Sequence, residues 1–199
     1  MAPYFQTIKN FADIPCNDKG IPTVEFLEAS DGLVSMFDLL GVGVFSFVQA
    51  DIKSNIHGVR TTYTSNPEEC RTLEKLVHSE VDDAHKHGTG CLRRLLRGLL
   101  FTLRALQNVR SSPQTEDRLQ PSFQKAYDAV LKRHHNFAIR TVVQVALRAC
   151  PKRKEFYDRI AQGGAQDKLD SELARWLGGL EMILLRMMDF YAMGGHGDI

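Results

Sequence analysis

Apolar residues recur along this chain at helical intervals, and no stretch alternates strictly enough to predict a strand. From Thr23, an N-cap candidate, Val24, Leu27, Leu33, Phe37 and Leu40 line one side of a predicted helix, and Gly41 and Gly43 break it. A second helix runs from about Val44 to Tyr63. Asn66 and Pro67 end it and open PEECRTLEKLVHSEVDDAHKH, whose apolar and charged residues alternate helically, with Glu and Asp expected on a solvated face. Between residues 89 and 109, Leu92, Leu95, Leu96, Leu99, Leu103 and Leu106 form a broad apolar stripe. SSPQTED is the clearest loop. PSFQKAYDAVLKRHH and NFAIRTVVQVALRAC follow as two helical runs or one bent helix, closed by Pro151. QGGAQ separates KRKEFYDRI from a last long helix over 166–193. Residues 1–22, with Pro3, Pro15, Gly20 and Pro22, read as an N-terminal arm, and 23–199 as a single domain. The pattern predicts an all-α domain of about eight helices.

Composition narrows the classes. A chain of 199 residues, 43% hydrophobic and 25% charged, is an ordinary globular domain long enough to bury a substantial core. Its net charge of +1 gives no basic field of the kind that draws nucleic acid, so no nucleic-acid partner is expected and any membrane attraction must be local. Cys16, Cys70, Cys91 and Cys150 are scattered without CxxC spacing, which suggests reduced thiols and a cytoplasmic protein. MAPYFQTIKNF lacks the apolar core of a signal peptide, and no run approaches the roughly 20 apolar residues of a membrane span.

Chemistry concentrates in VQADIKSNIHGVRTTY. At about 100° per residue, Asp51, Asn55 and Gly58 fall within roughly 60° of one another, so a carboxylate and an amide project from one face. Asp accepts, Asn accepts and donates, and a His such as His135 can donate to a carbonyl, a set that suits a hydroxyl and an amide on one ligand. An Asp and an Asn one turn apart are more often a solvated face. Here Val44, Phe45, Phe47, Val48, Ile52 and Ile56 make the helix apolar around much of its girth, which argues for a recess, while Lys53 and Arg60 point about 160–180° away from Asp51. Arg94 lies about 140° from the centre of the leucine stripe, so helical geometry alone leaves solvent and pocket both open to it; Arg97 sits about 60° from Arg94 as a second donor. A guanidinium fork matches a phosphate. His85, His87, Asp82 and Asp83 lack a distant third ligand at recognisable spacing, and no metal or other cofactor is expected. No GxSxG or HExxH occurs, so no enzyme of those types is predicted.

FDLLG (37–41), VFSFVQADIKSNI (44–56), LLRGLLF (95–101), LKRHHNFAIR (131–140) and CPKRKEFY (150–157) together resemble the glycolipid transfer protein superfamily over nearly the whole chain, from about residue 23 to 190. The NFADIP start and the HH pair are similar to its fungal heterokaryon-incompatibility-type and plant members. The resemblance implies a two-layer helical sandwich around a hydrophobic lipid pocket, and a carrier that moves single sphingolipids between membranes. It implies that Asp51 and His135 hold the sphingoid amide and that Asn55 reads the first sugar. Glycolipid-selective members carry a Lys at the position of Gly58 and a Trp at that of Arg94. Ceramide-1-phosphate-selective members carry an Arg at Arg94, a Lys at Asn55 and a second Arg at Gly90. This chain is a hybrid of the two, and its head group stays open between glycosylceramide and ceramide-1-phosphate.

By the same resemblance Phe37, Phe45, Val48, Phe101, Leu131, Val143 and Leu147 line the acyl-chain pocket, although such residues are also ordinary core. Phe137 matches an exposed aromatic, and with Lys152, Arg153 and Lys154 it suits peripheral, reversible contact with an anionic membrane. A monomer is expected. The alternative function is a sphingolipid sensor that transfers little.

Overall fold

The leucine stripe Leu92, Leu95, Leu96, Leu99, Leu103 and Leu106 is wholly buried along α5 (His87–Ser111), against which several of the other helices pack. The computed structural model describes residues 2–40, 46–113 and 115–199. Among these the chain is all-α. Around α5 stand α1 (Tyr4–Thr7), α2 (Thr23–Leu40), α3 (Ser46–Ser65), α4 (Leu73–Ser79), α6 (Gln120–Val130), α7 (Phe137–Arg148), α8 (Arg153–Ala161) and α9 (Gln166–Gly194), with 3₁₀ turns at Phe11–Asp13 and Lys132–His134. The helices stack in two layers. In one, α5 meets α3 through its first turns and α6 through its last, where Asn108 donates to the Ser122 carbonyl. In the other, α9 crosses α5, and Gln107 donates to Glu181 across that seam. The arm over residues 2–22 lies against α9, with the Phe5 and Phe11 rings 5.3 and 5.2 Å from Trp176.

Where α3 and α5 cross, the absence of a side chain at Gly58 matters. A Cβ there would stand 2.3 Å from Cys91 Sγ, so bulk at this position is excluded by the residue facing it. The Lys that the resemblance implies at this position in glycolipid-selective members has no room in this seam.

The acidic segment 67–87 departs from its expected solvated helix. Before α5 begins at His87, only Leu73–Ser79 of it is helical, capped by Thr72, whose hydroxyl accepts from the Lys75 amide. Glu74 and Glu80 are buried because backbone donors and one cation satisfy them. Glu74 accepts from the Ile21 amide at 2.9 Å and from Arg186 Nε at 2.6 Å. Glu80 accepts from the amides of Gly88 and Thr89 at 2.9 and 2.6 Å, and so caps the N-terminus of α5, where Lys86 offers no side-chain cap. Helical periodicity cannot distinguish a solvated Glu from one folded back onto a neighbouring helix end.

The α6–α7 run is also broken rather than bent. After the turn Lys132–His134, His135 is extended (φ −104°, ψ 132°) and Asn136 accepts from the Ile139 amide at 3.0 Å, starting α7 anew. This break sets both histidines of the HH pair at the edge of the cavity described next.

Candidate functional site

A cavity of about 270 Å³ lies between α3, α5, α6 and α7. Its walls include Phe37, Val48, Phe101, Leu131, Val143 and Leu147, six of the residues expected from the sequence to surround hydrocarbon; Phe45 lies outside the described residues. Sequence reasoning missed Phe47, Phe123, Tyr127 and Ile139 on the same walls. Phe123 and Tyr127 stand one turn apart on α6, and Leu131 follows one turn on, so helical periodicity from Leu131 pointed at them.

Polar groups collect at one part of this wall: Asp51, Arg94, Arg97, His134 and His135 all line it. The Asp51 carboxylate is exposed and, among the described residues, takes part in no hydrogen bond or ion pair. It acts electrostatically on His135, whose ionisation is nonetheless held below the ordinary 6.5, first by burial, with Asp51 opposing and Arg140 reinforcing the shift. His135 Nδ1 lies 3.3 Å from the Tyr127 hydroxyl. If that hydroxyl donates to Nδ1, the imidazole proton sits on Nε2 as a donor for a ligand carbonyl. A free carboxylate and an imidazole N–H on one wall can take an amide, the first from its N–H and the second at its C=O.

Asn55 does not line the cavity wall. It is 3% exposed, with Nδ2 donating to the Asp51 carbonyl at 2.8 Å and Oδ1 accepting from Arg94 Nε at 2.9 Å. Arg94 also approaches Cys91 Sγ with Nη2 at 3.4 Å. Two contacts therefore fix the guanidinium plane, and its Nη1 edge meets Gly90, whose missing side chain leaves it open. Arg97 lines the cavity as well and donates through Nη2 to the Asp198 carbonyl at 2.6 Å. Arg60 pairs with Asp31 at 2.8 Å, remote from Asp51 as the helical angle required.

The residues read as a membrane-facing group divide. Phe137 is 85% exposed at the start of α7, with Val142 and Val145 also exposed farther along that helix. Lys152 pairs with Asp117 at 3.0 Å and Lys154 with Asp158 at 2.6 Å. Arg153 turns inward, donating to the carbonyls of Val109 and Glu116 and to the Ser112 hydroxyl, and so pins the loop after α5. The basic run is thus partly neutralised and partly structural.

Comparison with known proteins agrees with this architecture. The family model described as Glycolipid transfer protein (GLTP) matches residues 21–162. The chain is similar to a glycolipid transfer protein of Aureobasidium melanogenum, 36% identical over 191 residues that cover 95% of this chain and 92% of the relative. It is similar to mouse pleckstrin homology domain-containing family A member 8, 32% identical over 205 residues, though it spans only 39% of that protein's length. Among solved structures, HET-C2, a fungal glycolipid transfer protein, superposes with a TM-score of 0.88 at 35% identity, covering 95% of this chain and 96% of that one. Mouse ceramide-1-phosphate transfer protein superposes at 0.87 with 25% identity, covering 98% of each. With a family match over most of its length and a relative aligned almost end to end, the chain belongs to the glycolipid transfer protein family, whose members transfer lipids rather than convert them.

Proposed function

We propose that this protein binds one sphingolipid in the α3–α5–α6–α7 cavity and carries it between cytosolic membrane faces as a monomer in reversible contact with each. The carrying observation is the grouping of a free carboxylate (Asp51), a Tyr127-held imidazole (His135) and an anchored guanidinium (Arg94) on one wall of an otherwise apolar cavity. Hydrocarbon burial, worth on the order of 0.8 kcal/mol per CH₂, supplies affinity, and the amide common to sphingolipids is taken by Asp51 and His135. Membrane contact runs through Phe137. Four free cysteines suit a reducing compartment.

For the head group, ceramide-1-phosphate is carried at least as well as a simple glycosylceramide. Asn55, the sugar-type residue, is occupied in aiming Arg94, the phosphate-type one, so the hybrid resolves into one anion-directed unit. Transfer between vesicles of labelled ceramide-1-phosphate, glucosylceramide and phosphatidylcholine tests both levels. Movement of phosphatidylcholine alone would end the sphingolipid reading. Movement of glucosylceramide alone would end only the head-group assignment.

A further inference from the structure

Beyond the cargo wall, the segment Gly195–Ile199 folds back from the end of α9 over the N-terminal half of α5. Gly195 (φ +65°) and Gly197 (φ +92°) supply the left-handed turns that this reversal needs. The Gly195 and His196 amides close the end of α9 on the carbonyls of Ala192 and Tyr191. His196 stacks on Phe190 with ring centroids 5.3 Å apart, and Ile199 is 7% exposed. Three arginines from two other elements hold this strap by its backbone. Arg93 Nη1 donates to the His196 carbonyl at 3.4 Å, Arg97 Nη2 to that of Asp198 at 2.6 Å, and Arg133 Nη2 to that of Ile199 at 3.3 Å.

Arg93 and Arg97 meet uncharged backbone carbonyls and no carboxylate in ion-pair range among the described residues, while Arg133 meets the main-chain oxygen of Ile199, the last residue of the sequence. The Asp198 carboxylate acts on Arg97 from farther off, and Arg93 and Arg133 press on Arg97 as like charges. In a chain whose net charge is only +1, three such cations together are a marked local excess. The His196 and Asp198 carbonyls leave the charge of Arg93 and Arg97 unmet, and Arg97 Nε is buried without a hydrogen-bond partner among the described residues, so an anion would be the better partner. Arg133 also donates through Nε to His134 Nε2 at 3.0 Å, and both Arg97 and His134 line the cavity, which places the cluster beside the cargo wall.

We infer that Arg93, Arg97 and Arg133 form a second anion subsite, covered by the strap Gly195–Ile199, which a phosphate monoester uncovers by replacing the carbonyls of His196, Asp198 and Ile199. Two lipids present that group, the ceramide-1-phosphate cargo and phosphatidic acid in the membrane surface. Phe137, four residues beyond Arg133 and exposed, favours neither source by itself. The inference rests on the proposed cargo only for the first of these two probes.

Hydrogen exchange at the Gly195 and His196 amides reads the strap directly. Each bond from a charged donor that is lost is worth enough for roughly a tenfold faster exchange. The full chain is measured alone, with short-chain ceramide-1-phosphate, with phosphatidylcholine vesicles, and with the same vesicles containing phosphatidic acid. Acceleration by either phosphate monoester, and not by phosphatidylcholine vesicles, is the expected result, and the probe that acts identifies the source. No acceleration by either, or equal acceleration by phosphatidylcholine, overturns the subsite. Gly197→Val, strained at its φ and carrying a Cβ that would lie 2.9 Å from Arg93 Nη1, should exchange fast without any lipid; protection like wild type would show that this geometry does not hold the strap. The Arg93→Gln/Arg133→Gln protein should lose most of its added affinity for phosphatidic acid vesicles, and unchanged affinity would remove the cluster from anion binding. A strap that answers to phosphatidic acid in a protein that carries no sphingolipid would sink the cargo reading alone; a sphingolipid carrier with an indifferent strap would sink this inference alone.

Discussion

Arg94 donates its Nε–H to Asn55 Oδ1 at 2.9 Å, and Asn55 in turn donates to the backbone carbonyl of Asp51 at 2.8 Å. The proposed head-group reader on α5 is thereby tied to the turn of α3 that carries the proposed amide reader. Asn55 is 3% exposed and off the cavity wall, so it is its placement that keeps its remaining donor from a sugar hydroxyl. Asn55 acts in this structure as a strut between two residues that line the cavity.

That arrangement sets the order of effects at the head group. Arg94→Ala should reduce ceramide-1-phosphate transfer by about tenfold or more, since each charge-assisted bond is worth roughly 1.5–3 kcal/mol. Asn55→Ala should move transfer in the same direction while leaving glucosylceramide transfer less affected, and Arg94→Trp should shift the protein towards the sugar lipid. Competition transfer with both labelled lipids measures all three. An Asn55→Ala protein impaired only for the glycolipid would return Asn55 to the role of sugar reader.

Asp51→Val should abolish transfer of every sphingolipid while preserving the helical circular dichroism spectrum. The carboxylate is exposed and makes no hydrogen bond or ion pair among the described residues, so its loss takes nothing from the fold. Wild-type transfer by the folded variant would show that the amide is held elsewhere.

Phe137→Ala should lower partitioning onto vesicles and slow transfer without changing which lipid is carried, because the ring is 85% exposed and lines none of the cavity. Sedimentation with vesicles reads the partitioning. Charge reversal at Lys152 or Lys154 should do much less, since each already faces an aspartate.

Acid should destabilise the fold through its histidines. His134, His135 and His196 all ionise below the ordinary 6.5, burial being the first cause in each. The unfolded chain therefore binds more protons than the folded one just below that pH, and stability falls as pH drops from about 6.5. Melting temperatures between pH 7.5 and 5.5 should decline, and His135→Gln should decline less steeply. A melting temperature that rises towards acid would contradict the sign.

Gly58→Ala should cost about 1–3 kcal/mol of stability, the range for forcing a methyl into a packed seam. Cys91→Ala in the same chain should recover much of it, because Cys91 Sγ is the atom that the new Cβ would strike. Urea denaturation of both singles and the double variant closes the cycle; strict additivity would mean that α3 and α5 shift apart freely.

Much of this architecture was legible in the sequence for a definite reason. The leucine stripe of α5 and the apolar walls on α3 and α7 follow a 3.6-residue period, and burial follows the period. Asp51 and Arg60 point oppositely because the helix that carries them is regular. What periodicity could not reveal are contacts between elements distant in sequence. Glu80 looked like a solvated acid and caps α5; Arg153 looked like a membrane contact and holds the 109–116 loop. Asn136, a plain N-cap, decided between two helical runs and one bent helix. The strap held by Arg93, Arg97 and Arg133 gave no sequence signal beyond its glycines.

The Gly58–Cys91 contact also orders the mutational routes between the proposed head-group site and one with a long cation on α3. Enlarging residue 58 first passes through an overpacked seam, whereas shrinking residue 91 first passes through a small void and loosens one of the two contacts on Arg94. The second intermediate has the gentler stability cost but already weakens the guanidinium that it would replace. If Arg94 reads the head group as proposed, preference and fold stability are epistatic at this pair, and the order in which the two positions change decides which cost is met first.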